Sequence, residues 1–121
     1  MTFADLAIIG LGGGIGTLIR YILALKWNAT RSLPIGTLFV NWSGSFLIGF
    51  IAMLNLNSLW TYFIISGIAG GMTTFSTLNK ELVILWKDGK RKIFFFYLIG
   101  TYSIGIFFAY LGIVAGRLLA P

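Results

Sequence analysis

Residues 67–79 hold the polar groups of this chain that could do chemistry inside a membrane. Within an otherwise apolar stretch, the adjacent glycines Gly70 and Gly71 are followed by four hydroxyl residues and a phenylalanine. Glycine weakens a helix by about 1 kcal/mol relative to alanine, and Ser and Thr side chains compete for backbone hydrogen bonds. Because non-helical backbone at membrane depth lines a cavity or is buried in protein, the pattern predicts carbonyl oxygens turned toward an ion. A plain helix–helix contact made by small residues is the alternative interpretation.

Thr37, Asn41 and Arg20 are further polar side chains in the apolar segments. Thr37 and Asn41 are four residues apart and therefore share one helix face. An Asn in a membrane helix usually hydrogen-bonds across helices, for about 0.6–2 kcal/mol, so a structural role is one interpretation of Asn41. Arg20 would cost at least about 2.5–3.5 kcal/mol at mid-membrane. It therefore marks either the membrane edge, as a snorkelling anchor, or a water-filled vestibule in which it attracts anions.

The composition places these residues in an integral membrane protein. The chain has 121 residues, of which 58% are hydrophobic and only 10% charged, and its mean hydropathy is +0.93. No charged residue occurs in 32–79 or in 93–116. Since about 20 helical residues cross a hydrocarbon core, the first of these segments is long enough for two spans and the second for one.

The elements that must position the polar residues are four membrane helices in a single domain, residues 1–121. We expect spans over about 3–25, 35–54, 59–86 and 93–119. The third is too long for one straight span, so we expect a break near 70–76 followed by a helical tail. Small residues at 10/14 and 12/16 predict a close approach between helices, and the aromatic residues 94–97 predict an interfacial belt at the start of the fourth span.

The distribution of charge predicts a single orientation in the membrane. Nearly all basic residues fall in two loops, at 26–32 and 80–92, which a four-span arrangement puts on the same side. By the positive-inside rule both loops face the cytoplasm and both termini face out. The net charge of +6 is therefore topological, and no nucleic-acid partner is expected.

Two other classes are disfavoured. The chain contains no His and no Cys and no convergent acid–base set, so we do not expect an enzyme. A small multidrug or cation exporter needs a carboxylate within the membrane for proton exchange. The three acidic residues lie near span ends instead: Asp5, Glu81 and Asp88.

Several segments together resemble the Fluc (CrcB) family of small fluoride channels. The resemblance includes Gly13-Gly14 with Arg20-Tyr21 in the first span and Gly36-Thr37-Leu-Phe-Val-Asn41 in the second. It continues with Gly70-Gly71-Met-Thr-Thr-Phe75-Ser-Thr in the third and covers nearly the whole chain. The third-span motif is the most specific part.

The resemblance implies an all-α membrane protein that forms an antiparallel (dual-topology) dimer and exports fluoride passively across the plasma membrane of a bacterium. It implies a structural Na⁺ at the dimer centre, held by the backbone carbonyls of Gly70 and Thr73. The expected partners are fluoride, membrane lipid and a homologous subunit. The residues expected along the fluoride pathway are Asn41, Phe75, Thr37, Ser76, Thr101 and Arg20.

Three positions depart from the family pattern. The second pore phenylalanine falls on Leu78, and hydroxyl positions of the fourth span fall on Gly105 and Ala109. Tolerated drift is one explanation. The other is a heterodimer with an oppositely oriented homologue in which one of two pores has decayed, because the basic loops specify one orientation. A non-conducting structural or regulatory subunit is the alternative function.

Overall fold

The computed structural model describes residues 2–27 and 34–120, and the secondary structure in these ranges is helical. Part of the predicted basic loop at 26–32, including Arg31, lies outside them. The helices run in chain order without any strand in the described ranges: α1 Phe3–Trp27, α2 Ile35–Met53, α3 Ser58–Thr61, the π-helix π1 Tyr62–Ala69, α4 Gly70–Met72, α5 Ser76–Lys87 and α6 Arg91–Leu119.

The all-α membrane architecture is confirmed. Within the described ranges, α1, α2 and α6 are each long and apolar enough to cross a membrane. The third crossing is divided, as predicted: α3, π1 and α4 form one continuous helical rod over residues 58–72, and α5 begins after residues 73–75.

The break at residues 73–75 lies within the predicted range 70–76, but the paired glycines themselves remain helical. Gly70 is helical, with φ −63° and ψ −36°, and the chain leaves the helix at Thr73, with φ −73° and ψ 147°. The reason is that Gly71 makes a close packing contact, since a Cβ there would collide with the carbonyl oxygen of Gly13 in α1. The hydroxyl residues, rather than the glycines, end the helix.

Glycine contacts join α1 to the third crossing. Gly12 and Gly16 are the buried residues of α1. A Cβ at Gly16 would collide with the carbonyl oxygen of Ile68, and one at Gly12 would come within 2.8 Å of the Gly67 Cα. The small residues therefore let the two backbones touch, as the spacing at 12/16 predicted.

Similar contacts join α2 to α6. A Cβ at Gly112 would collide with the Phe46 carbonyl oxygen, and one at Gly49 with the carbonyl oxygen of Ala109. At the other end of this pair, α5 docks through a buried apolar cluster: Leu38, Leu78, Leu82, Leu85 and Tyr97. Tyr97 is only 1% exposed, so the prediction of an interfacial belt fails at this residue because its ring fills the core beneath α5.

Candidate functional site

The site is built around residues 73–75, where backbone amides lose their regular helical partners. The N–H of Thr74 donates to the side-chain Oδ1 of Asn41, at 2.9 Å. The N–H of Thr77 donates to the Oγ1 of Thr74, at 3.1 Å. Side chains thus replace the backbone acceptors that a continuous helix would supply, and the Thr74 hydroxyl acts as the N-terminal cap of α5.

Because these two amides donate to side chains, two backbone carbonyl oxygens lose their regular helical donors. In a continuous helix the N–H of Thr74 would bond the oxygen of Gly70, and that of Thr77 would bond the oxygen of Thr73. Both amides are directed to side chains instead. Gly70 is also exposed on the surface of the chain. The carbonyls of Gly70 and Thr73, the two expected Na⁺ ligands, are therefore among the carbonyls at the break whose regular donors are directed elsewhere.

Asn41 is oriented by its contact with the break. A backbone N–H only donates, so the side-chain atom of Asn41 that faces Thr74 is the oxygen. The amide NH₂ therefore points away from that bond with its donors available. α2 lies close to the break: one turn beyond Asn41, a Cβ at Gly44 would collide with the Thr73 methyl group.

A groove of about 350 Å³ lies between α2, the break and α6. Among the expected pathway residues it contains Asn41, Phe75 and Thr101. Phe75 is 69% exposed, so most of the surface of its ring is accessible. The Thr101 hydroxyl donates to the carbonyl oxygen of Tyr97, at 2.7 Å, so its proton is used within α6. The groove also contains the three departures from the family pattern: Leu78, Gly105 and Ala109.

Three expected pathway residues lie outside this groove: Thr37, Ser76 and Arg20. Thr37 is 2% exposed, and its hydroxyl donates to the Oε1 of Glu81, at 2.8 Å. The phenol of Tyr97 donates to the same oxygen, at 3.2 Å, so α2, α5 and α6 meet at one carboxylate. Ser76 is the exposed first residue of α5.

Arg20 also lies outside the groove and contacts both sides of the break. Its Nε donates to the Gly71 carbonyl oxygen and its Nη1 to the Thr77 hydroxyl, both at 3.3 Å. The guanidinium thus joins α4 to α5.

The comparison with known families decides the assignment. The family model described as "CrcB-like protein, Camphor Resistance (CrcB)" matches residues 7–113, which run from α1 into the second half of α6. The chain belongs to the CrcB family. With its long apolar helices, this CrcB-family chain is a multi-pass membrane protein.

Curated bacterial relatives match over most of their length. "Fluoride-specific ion channel FluC" of Aquifex aeolicus is 39% identical, over 92% of this chain and 95% of the relative. The protein of the same name from Chlorobium chlorochromatii is 40% identical, over 97% and 95%. "Fluoride-specific ion channel FluC 1" of Listeria monocytogenes is 37% identical, over 93% and 97%. The relatives are named as channels, in agreement with the expectation that this CrcB-family chain is not an enzyme.

Sequence reasoning missed three polar residues whose hydrogen bonds organise the site. Thr74 was one of four hydroxyls in a row, and no periodicity separated the helix cap from its neighbours. Ser45, which also lines the groove, donates to the carbonyl oxygen of Asn41 one turn earlier, at 2.9 Å. Glu81 was placed near a span end, but its half-buried carboxylate joins three helices.

Proposed function

We propose that this chain is a subunit of a fluoride-selective channel through which fluoride leaves the cytoplasm passively. The names of its relatives support this function. The observation that carries it is the groove beside the break, where the donor end of the Asn41 amide and the ring of Phe75 line one space. Thr101 lines the same groove, whereas Thr37, which donates to Glu81, and Ser76 lie outside it and stay predictions for the pathway.

The chemistry of the groove suits a small, strongly hydrated anion. A pore for fluoride must replace the water of the ion with fixed donors, without a full positive charge that would trap it. The amide of Asn41 is a neutral donor, and the edge of the Phe75 ring carries partial positive charge. The groove residues include no Lys or Arg, so passage relies on dipoles.

We also propose a structural Na⁺ bound by the carbonyl oxygens of Gly70 and Thr73. Carbonyl oxygen is a suitable ligand for a hard cation. Diversion of the Thr74 and Thr77 amides supports these two oxygens as ligands, and exposure of Gly70 on the chain surface supports a position shared with a second subunit.

The assembly that we propose is an antiparallel dimer in the bacterial plasma membrane. Phe75 is largely exposed on a groove with one open side, so a second subunit is needed to complete a pore. The basic residues around the turn between α5 and α6 favour one orientation of this chain. An oppositely oriented homologue is therefore the partner that we favour over a second copy.

Fluoride efflux from liposomes tests the function and the partner together. The chain is purified alone, and separately with a homologous subunit whose basic loops favour the opposite orientation. We expect fluoride efflux from the pair, with no comparable chloride efflux, and little from the chain alone. Equal chloride and fluoride efflux would contradict the selectivity, and rapid fluoride efflux from the chain alone would remove the need for a different partner.

A non-conducting subunit is the second candidate, favoured by Leu78, Gly105 and Ala109 in the groove. In the reconstituted pair, Asn41→Asp in this chain distinguishes the two, because aspartate keeps an acceptor for the Thr74 amide and removes only the NH₂ donors. Loss of efflux assigns a conducting role to this groove. Unchanged efflux, with the pair still assembled, assigns a structural role to this chain.

Replacing Na⁺ tests the cation site. Because a ligand that binds only the assembled state stabilises it by mass action, exchange of Na⁺ for N-methylglucamine should lower the dimer fraction measured by crosslinking in membranes. An unchanged dimer fraction and unchanged efflux in the absence of Na⁺ would exclude a structural role for the ion.

A further inference from the structure

Arg20 continues the stripe of α1 that faces the third crossing. Gly12, Gly16 and Arg20 are spaced four residues apart, so they lie on one helix face. The two glycines are buried against the third crossing. The same face therefore carries the Arg20 side chain toward the break, and its guanidinium is engaged by protein groups there.

The two acceptors of Arg20 lie on opposite sides of residues 73–75. The Gly71 oxygen belongs to α4, and its regular helical donor would be the N–H of Phe75, which lies in the break. The Thr77 hydroxyl belongs to α5, whose start is capped by Thr74. One planar guanidinium thus donates a hydrogen bond to the Gly71 carbonyl oxygen at the end of α4 and another to the Thr77 hydroxyl in α5.

We propose that Arg20 is a positioning residue that clamps the two halves of the third crossing, and that it supports conduction through the break rather than by attracting anions. The contacts with Gly71 and Thr77 fix α5 relative to α4. They thereby hold Thr74 against Asn41 and keep Phe75 beside the groove. The role in conduction rests on the proposed function, whereas the clamp itself does not.

A role of Arg20 by charge and a role as a clamp predict opposite results for Arg20→Lys. Lysine keeps the positive charge but presents a single ammonium, which lacks the two-nitrogen fork of arginine. If Arg20 acts by charge, Arg20→Lys should keep fluoride efflux and Arg20→Gln should lose it. If Arg20 is a clamp, both variants should lower efflux to a similar extent.

Thr77→Val separates the two roles further because it removes one acceptor and leaves the charge in place. We expect it to lower efflux in the same direction as Arg20→Lys, and we expect the double variant to be no worse than Arg20→Lys alone. Lys26→Gln is the matched control, since it removes a positive charge from the same helix one and a half turns beyond Arg20 without touching the break. It should leave efflux unchanged.

Hydrogen exchange measures the clamp without any assay of conduction. Because a hydrogen bond to a charged group resists local opening, amides of residues 73–79 should exchange about tenfold faster in Arg20→Lys and Thr77→Val, with α6 unchanged. Wild-type exchange in both variants would overturn the clamp, whatever the efflux. Faster exchange in the two variants, together with no fluoride efflux from the wild-type pair, would keep the clamp and reject the proposed function instead.

Discussion

At the scale of single residues, Asn41 binds the break with one end of its amide and leaves the other end for a second group. Its oxygen accepts from the Thr74 N–H, at 2.9 Å, and its NH₂ faces away from that bond beside the groove. A side chain fixed in this way is pre-organised, because the bond that holds the break also sets the direction of the donors. The structural and the ion-binding interpretations of Asn41 are therefore compatible.

Replacement of Asn41 by Asp separates the two ends. Aspartate retains an acceptor for the Thr74 amide but puts a carboxylate oxygen where the donors were. We expect the protein to assemble normally and fluoride efflux through this groove to fall by at least about tenfold, since like charges repel strongly where water is scarce. Efflux is measured from liposomes, and assembly by size-exclusion chromatography.

Asn57→Asp is the matched control for this substitution. Asn57 also accepts a backbone N–H through its Oδ1, that of Trp60, at 3.1 Å, but it lies in the turn before α3. Its replacement should leave efflux unchanged. Normal efflux in Asn41→Asp would show that the Asn41 NH₂ is not used by the ion.

Gly105 offers a second test at the residue scale. A Cβ there would meet the Ser45 Oγ at 3.7 Å and the Trp42 Cδ1 at 3.9 Å, which are ordinary contacts. Gly105→Ser should therefore fit, and its hydroxyl would add a donor to a groove that has few. We expect faster fluoride efflux from Gly105→Ser than from the wild type, and no gain from Gly105→Ala, which adds the Cβ alone. Equal effects of the two variants would mean that the hydroxyl is not the cause.

At the scale of elements, the glycines and the hydroxyl residues of the third crossing have different roles. Gly67 and Gly71 let α1 come into backbone contact, while Thr74 supplies the cap that starts α5. Because α1 holds the first half, and α2 and α6 hold α5 through the cluster around Leu82 and Leu85, the break lies between two separately anchored segments.

Gly16→Ala tests the anchor of the first half. Its Cβ would collide with the carbonyl oxygen of Ile68 and approach the N of Met72 at 2.8 Å. Neither atom can move without shifting helix backbone, so we expect a loss of about 1–3 kcal/mol in the free energy of unfolding. Denaturant titration in detergent measures it. Gly10→Ala, in the same helix with nothing within 4 Å of its Cβ, should cost nothing. A neutral Gly16→Ala would show that α1 packs less closely than described.

At the scale of the whole molecule, positive charge is distributed unevenly between the two ends of the helices. Four of the basic residues lie close together around the turn between α5 and α6: Lys87, Lys90, Arg91 and Lys92. The turn at 54–57, at the opposite end of the helices, has no charged residue. Each positive charge near the cytoplasmic end of a helix favours the same orientation, so the individual preferences add.

Introduced cysteines measure this orientation directly, because the chain has none of its own. Asp88→Cys puts a thiol in the basic turn, and Ser58→Cys puts one at the opposite end, at the start of α3. In intact cells a membrane-impermeant maleimide should label Ser58→Cys and leave Asp88→Cys unlabelled until the cells are opened. Half-labelling of both variants would indicate dual topology and would favour a homodimer.

The sequence by itself determined the membrane class, the break near residues 70–76 and the family, and it predicted four crossings, because these follow from apolar length, glycine and hydroxyl composition, and motifs read along the chain. It located the break only to within a few residues. Only the tertiary structure decided that Gly71 packs while Thr73 leaves the helix, that Asn41 and Thr74 share a bond, and that Arg20 joins the two halves. The physical reason is that helix propensity and hydropathy are local, whereas the partner that accepts a freed amide or donates to a freed carbonyl lies on another helix and is set by how the helices pack.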